Sequence, residues 1–173
     1  MTKEPYDGFR TWLNRIGATP FILAAKAADP ALMRLLVEQG ADPNLVTKDR
    51  STAVMAAAGV GFWPAESPGT EYESLEAVRL AVELGGDVNA VNDLGFTAMH
   101  GAAVHGSNSV VKFLYEKGAR LDARTLKEGW TPLAIADGVF IANTFKMTPQ
   151  TAAFIRQLTG DTKPSGTKEP QTR

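Results

Sequence analysis

Two histidines, His100 and His105, are the side chains best suited to proton transfer or metal binding, and they stand five residues apart. A metal pair on one helix needs a separation of about three or four, so that both rings share a face, and it needs further ligands. The chain has no cysteine, which removes disulfides, thiolate catalysis and cysteine-ligated metal centres. Ser, His and Asp are all present, but no Gly-x-Ser-x-Gly elbow presents a nucleophile. Gly59-Val60-Gly61 lacks the third glycine of a dinucleotide fingerprint and reads as a helix end and turn. Asp137 lies among small apolar residues, where a carboxylate must find a partner. The expected partners are backbone N–H groups of the segment 140–147. These residues therefore predict no catalytic site, no metal site and no cofactor.

The elements that would position these residues come next. A net charge of -1 gives no general attraction to nucleic acid or to an anionic membrane. No apolar run is long enough to span a bilayer, and the polar, acidic start is unlike a signal peptide. Compartment is left open, and the chain reads as a monomer.

Four phrases recur: Gly17-Ala18-Thr19-Pro20-Phe21, Ser51-Thr52-Ala53-Val54-Met55, Phe96-Thr97-Ala98-Met99-His100 and Trp130-Thr131-Pro132-Leu133. Their threonines are separated by 33, 45 and 34 residues. A period near 33 marks a stacked helical repeat. Thr followed by Pro starts a helix, the hydroxyl accepting from an orphan N–H. A second helix follows, rich in leucine at Leu32, Leu35 and Leu36, and Gly40 ends it as a left-handed cap. Thr19 to Gly40 and Thr97 to Gly118 are both 21 residues, whereas Thr52 to Gly85 is 33 and Thr131 to Gly160 is 29. The excess lies between the two helices, near Phe62–Glu73 and Phe140–Met147.

This pattern, with Gly40-Ala41-Asp42-Pro43-Asn44 and its counterparts after each second helix, resembles the ankyrin repeat family. The inserts also resemble those of bacterial members. The implied fold is all-α: a solenoid of about four helix–turn–helix units with β-hairpin-like fingers, two units carrying inserts. The expected boundaries are a cap or remnant at 1–16, units at 17–49, 50–94, 95–128 and 129–161, and a disordered tail at 162–173. Phe9, Trp12, Leu13 and Ile16 read as a cover for the first unit's apolar face. Arg50 stands where Gly95 and Gly129 stand in later fingers, a position that often needs positive φ. The resemblance gives His100 a structural role, tying the finger to Thr97.

The function implied is binding of a protein or peptide in a concave groove, without catalysis. The residue before each Thr forms one column, Ala18, Ser51, Phe96 and Trp130, along the inner side of the fingers. First-helix positions Ala56, Gly59, Val60, Gly101, Val104, His105 and Ile135 are expected to face the same groove. Phe96 and Trp130 are read as anchors, with Leu94, Asp93, Lys127, His105, Val91 and Lys48 around them. Aromatic residues flanked by charge suit an interface, although packing of Phe96 on Trp130 within the stack is an equal reading. Phe62, Trp63 and Tyr72 form a second candidate surface. Two further readings are an accessory domain acting in cis and a small-molecule pocket between the inserts, around Trp63, Asp137 and Asn143. Self-association through the terminal units is another.

Overall fold

The computed structural model describes residues 13, 15–61, 69–141 and 144–160. Its helices come in pairs: α1 (Pro20–Lys26) with α2 (Pro30–Glu38), α3 (Ala53–Ala58) with α4 (Glu71–Glu83), α5 (Ala98–His105) with α6 (Asn108–Glu116), and α7 (Pro132–Asp137) with α8 (Pro149–Thr159). Thr19, Thr52 and Thr131 accept, through their hydroxyls, from the N–H groups of Ile22, Met55 and Ala134. This satisfies one orphan donor at each helix start and fixes where the pair begins.

First helices stack on first helices, α1 on α3 on α5 on α7, and second helices stack in a parallel row. The register is uniform. The position four after each Thr is Ala56, Gly101 and Ile135 in the later pairs, and all three are buried. The positions eight and five before each terminal glycine are Ala77 and Leu80, then Val110 and Phe113, then Ala152 and Ile155, again all buried. Small residues set the spacing of the first-helix row. A side chain at Gly101 would place its Cβ 2.6 Å from the backbone nitrogen of Val60, so only glycine fits there.

Each finger is closed by a repeated pair of hydrogen bonds. Thr47, Asn92 and Thr125 donate their N–H to the carbonyls of Ser51, Phe96 and Trp130. Their side-chain oxygens accept from the N–H groups of the same three residues, at 2.9, 2.9 and 3.0 Å. The fingers carry no strand among the described residues. Their tips need a left-handed residue: Gly95 has φ 82, and Arg50 adopts φ 62 despite its Cβ.

Two differences from the expected architecture have clear causes. The excess in the second pair is not all loop, because Thr70 and Glu73 form a reciprocal capping box that starts α4 at Glu71. Tyr72 therefore stands on the first turn of a 13-residue helix. Between α7 and α8 the chain forms a two-stranded antiparallel hairpin, β1 (Val139–Ile141) and β2 (Thr144–Lys146), paired Val139 to Lys146. The ring of Phe145 lies on Gly138, where a Cβ would come within 2.4 Å of it.

Candidate binding surface

His100 is wholly buried in α5. The Thr97 N–H donates to its Nδ1 at 3.1 Å, so that nitrogen is bare and the proton is on Nε2. Nε2–H in turn donates to the Trp130 carbonyl at 3.0 Å. The ring thus bridges one finger base to the next, and burial pushes its pKa below the ordinary histidine value. Both nitrogens are committed to structure. His105 ends α5, at the other end of the helix from Thr97, about 12 Å along the axis. Burial first, and the Lys146 charge second, lower its pKa, while the Glu71 carboxylate opposes them. The structure therefore does not bring His105 to Phe96 and Trp130.

The expected column before each Thr is interrupted, because its two middle members are buried while Ala18 and Trp130 are partly exposed. Ser51 is buried, its hydroxyl accepting from Asn92 Nδ2 at 3.0 Å. Phe96 is only 2% exposed and meets His100 edge-on, ring centroids 5.6 Å apart. It is a stacking residue, not an accessible anchor. The cause is the finger clamp: Asn92 holds the backbone of Phe96 and turns its side chain inward. Trp130 is partly exposed and packs against the core, as does Leu94. The first-helix positions Ala56, Val60, Gly101, Val104 and Ile135 are buried between neighbouring helices, because the stacking register consumes that face.

What stays accessible is the finger edge. Val46, Lys48, Val91, Asp93 and Lys127 are all exposed, and Leu126 is 76% exposed. Neighbouring fingers are joined by one repeated bond: the N–H groups of Lys48, Asp93 and Leu126 donate to the carbonyls of Ile16, Asp49 and Leu94. Arg50 reaches across to Asp93, Nε to Oδ1 2.6 Å. Asn44 and Asn89 donate to the Leu84 and Gly118 carbonyls of the following pair, fixing the fingers on the helices behind them. The side chains next to each clamp residue therefore project from a rigid, hydrogen-bonded base. The clamps themselves were missed in the sequence, because their side chains alternate Thr, Asn, Thr and leave no repeated letter.

Asp137 takes both carboxylate oxygens to Arg156 Nη2, each at 2.7 Å. Arg156, on α8, is thus a partner of Asp137 that the sequence reading did not name. Phe62, Trp63 and Asn143 lie outside the described residues, as do Phe9, Trp12 and the tail 162–173. Among the described residues, no three His, Asp or Glu side chains converge as metal ligands. No described helix is long and apolar enough to cross a membrane.

A stacked row of paired helices with hydrogen-bonded fingers is matched by two family models, "Ankyrin repeat" over residues 16–48 and "Ankyrin repeats (3 copies)" over 69–138. The chain belongs to the ankyrin repeat family. It is 36% identical over 128 residues to human "Ankyrin repeat domain-containing protein 63", covering 69% of this chain and 30% of that protein. It is 31% identical over 124 residues to human "B-cell lymphoma 3 protein", covering 69% of this chain and 25% of the other. A shorter match, 36% over 64 residues, is to fruit-fly "Palmitoyltransferase Hip14", 37% of this chain and 10% of that protein. The chain thus spans less than a third of each relative's length. Ankyrin repeats are generally protein–protein interaction modules and non-enzymatic scaffolds, and the palmitoyltransferase match covers repeats only.

Proposed function

We propose that the chain is a non-catalytic module that binds a protein or peptide partner along its finger edge. Four units are read, with boundaries at 17–49, 50–94, 95–128 and 129–161 and with additional residues in the second and fourth. The observation that carries the reading is that exposed apolar side chains, Val46, Val91 and Leu126, flank the clamp residues of three fingers beside Lys48, Asp93 and Lys127, on a hydrogen-bonded base. Apolar side chains ringed by charge on a preorganised backbone keep the ordering cost of binding low. The first-helix face offers little, since packing buries it. The bacterial affinity of the inserts rests on their sequence phrases alone.

The test is selection of peptide ligands from a displayed library on the immobilised chain. Val91→Glu with Leu126→Glu should abolish binding of the selected peptides and leave the far-UV spectrum unchanged. Tyr72→Ser, on the opposite edge, should leave binding intact. Peptides that bind the double variant as tightly as the parent would remove the finger edge from the reading.

A further inference from the structure

The finger tips carry the opposite sign of charge to the chain as a whole. Each tip runs from the residue before its clamp to the third residue after it: 46–50, 91–95 and 124–128. Residues 15–17 continue the row, since the Ile16 carbonyl accepts from Lys48 as those of Asp49 and Leu94 accept from the next fingers. Five cations stand on these segments, Arg15, Lys48, Arg50, Arg124 and Lys127, and all five are exposed. Against them stand three anions, Asp49, Asp93 and Glu128, so the tips sum to +2 on a chain whose net charge is -1.

The three anions are already engaged. Asp49 is buried and accepts from the Thr47 hydroxyl and, at 3.4 Å, from the Ser51 N–H. Asp93 holds Arg50 at 2.6 Å, and Glu128 lies 3.6 Å from Lys127. Among the described residues neither Lys48 nor Arg124 forms an ion pair. Both occupy the same kind of place. Val46 and Lys48 flank the clamp Thr47, and Arg124 and Leu126 flank the clamp Thr125. Each of these two fingers thus sets one exposed apolar side chain and one cation on either side of a buried threonine. Arg124 Nη1 donates to the Gly129 carbonyl of its own finger at 3.0 Å, which limits the freedom that binding would remove.

We propose, resting on the finger edge as the binding surface, that the segment bound there is acidic: apolar side chains flanked by Asp or Glu. The apolar residues meet Val46, Val91 and Leu126, and the carboxylates meet Lys48 and Arg124. A basic segment would set like charges together at both fingers. A nucleic-acid strand would match the cations but leave the apolar side chains unmatched, and the chain's own negative balance opposes it. Exposed charges of this kind choose the partner and speed its arrival more than they add affinity.

The test uses the full chain and peptides selected from an unbiased displayed library. The selected sequences should be rich in Asp and Glu. Their association should slow by about tenfold or more between about 0.05 and 0.5 M salt, with little change in dissociation. Lys48→Glu with Arg124→Glu should slow association by a similar factor, and should favour peptides whose Asp and Glu are replaced by Lys. Arg34→Glu with Lys112→Glu makes the same change in net charge at exposed second-helix positions and should have far less effect. Peptides lost with Val91→Glu and Leu126→Glu, yet neutral or basic or indifferent to salt, would overturn the acidic partner and leave the edge in place. A single-stranded oligonucleotide competing as well as an acidic peptide of equal charge would make the edge a general anion surface, and would overturn it too. No selected peptide, or peptides indifferent to both the apolar and the charged pair, would remove the edge itself and the proposal with it.

Discussion

Removing the imidazole of His100 makes a sharp prediction, since the ring is both a buried tie and a titrating group. His100→Asn keeps an acceptor where Nδ1 receives the Thr97 N–H at 3.1 Å, but it cannot reach Trp130. The Trp130 carbonyl still accepts from the Thr125 N–H, so no bare acceptor is left behind. The loss is one buried hydrogen bond, about 1 kcal/mol, and part of the ring's packing on Phe96, for a total of about 2–3 kcal/mol. His100→Ala also strips the Thr97 N–H and should cost about 1–3 kcal/mol more. The pH dependence gives an independent readout. His100 and His105, the only two histidines, both have folded pKa values lowered by burial. At about pH 7.5 and above both histidines are largely neutral in both states and contribute no slope. As pH falls below that, the unfolded chain takes up protons that the folded chain refuses. Stability then drops by up to about 1.4 kcal/mol per pH unit for each histidine, until the folded values are reached. Carboxylates such as Glu71, whose pKa is lowered chiefly by the Ser109 N–H, act only at lower pH. Urea unfolding at pH 7.5, 6.5 and 5.5 should therefore show a steeper decline in the parent than in His100→Asn. Equal slopes, or a flat parent profile, would refute the buried neutral imidazole.

Two further outcomes follow from local geometry. Arg50→Gly relieves a left-handed non-glycine residue, worth up to about 1 kcal/mol, but loses an exposed ion pair worth about 0–1 kcal/mol. The net effect should lie between neutral and slightly stabilising in thermal unfolding, with Arg50→Ala clearly below both. For the C-terminal pair, Arg156→Leu leaves Asp137 partly buried beside apolar neighbours and should cost about 1–2 kcal/mol, less than a fully buried pair would. Asp137→Ala with Arg156→Leu should recover most of that in a double-mutant cycle, and additive losses would show that the two do not act as a pair.

The repeated phrase made most of the fold legible, because caps and stops act locally. Thr19 with Pro20 and Gly40 each do their work within one helix turn, so their types survive as a readable pattern. Arg50 was legible for the same reason: Gly95 and Gly129 name the backbone state its position requires. The surface was not legible. Whether Phe96 faces inward depends on Asn92, whose amide holds it, and on His100 beneath it. Asp137 finds Arg156 nineteen residues away across a hairpin, and nothing in the spacing announces it. The short strands of that hairpin, three residues each, carry too little alternation to read.

The stacking register also decides where specificity can be written. A first-helix residue such as Gly101 answers to its neighbour's backbone, so Gly101→Ala should cost about 1–3 kcal/mol by overpacking on Val60. Leu126 is largely exposed and Val91 half exposed, while Leu126 N–H is bonded to the adjoining finger and Val91 adjoins the clamp residue Asn92. Substitution there should move stability by no more than about 0.5 kcal/mol in either direction. A protein of this build can therefore change what it recognises at the finger edge without disturbing what holds it together, whereas a recognition site on the first-helix face would trade one against the other. Chemical denaturation of Gly101→Ala beside Leu126→Ala and Val91→Ala measures that contrast directly. Comparable losses at all three positions would mean that the fingers carry the fold as much as the helices do, and the edge would then be a constrained surface rather than a variable one.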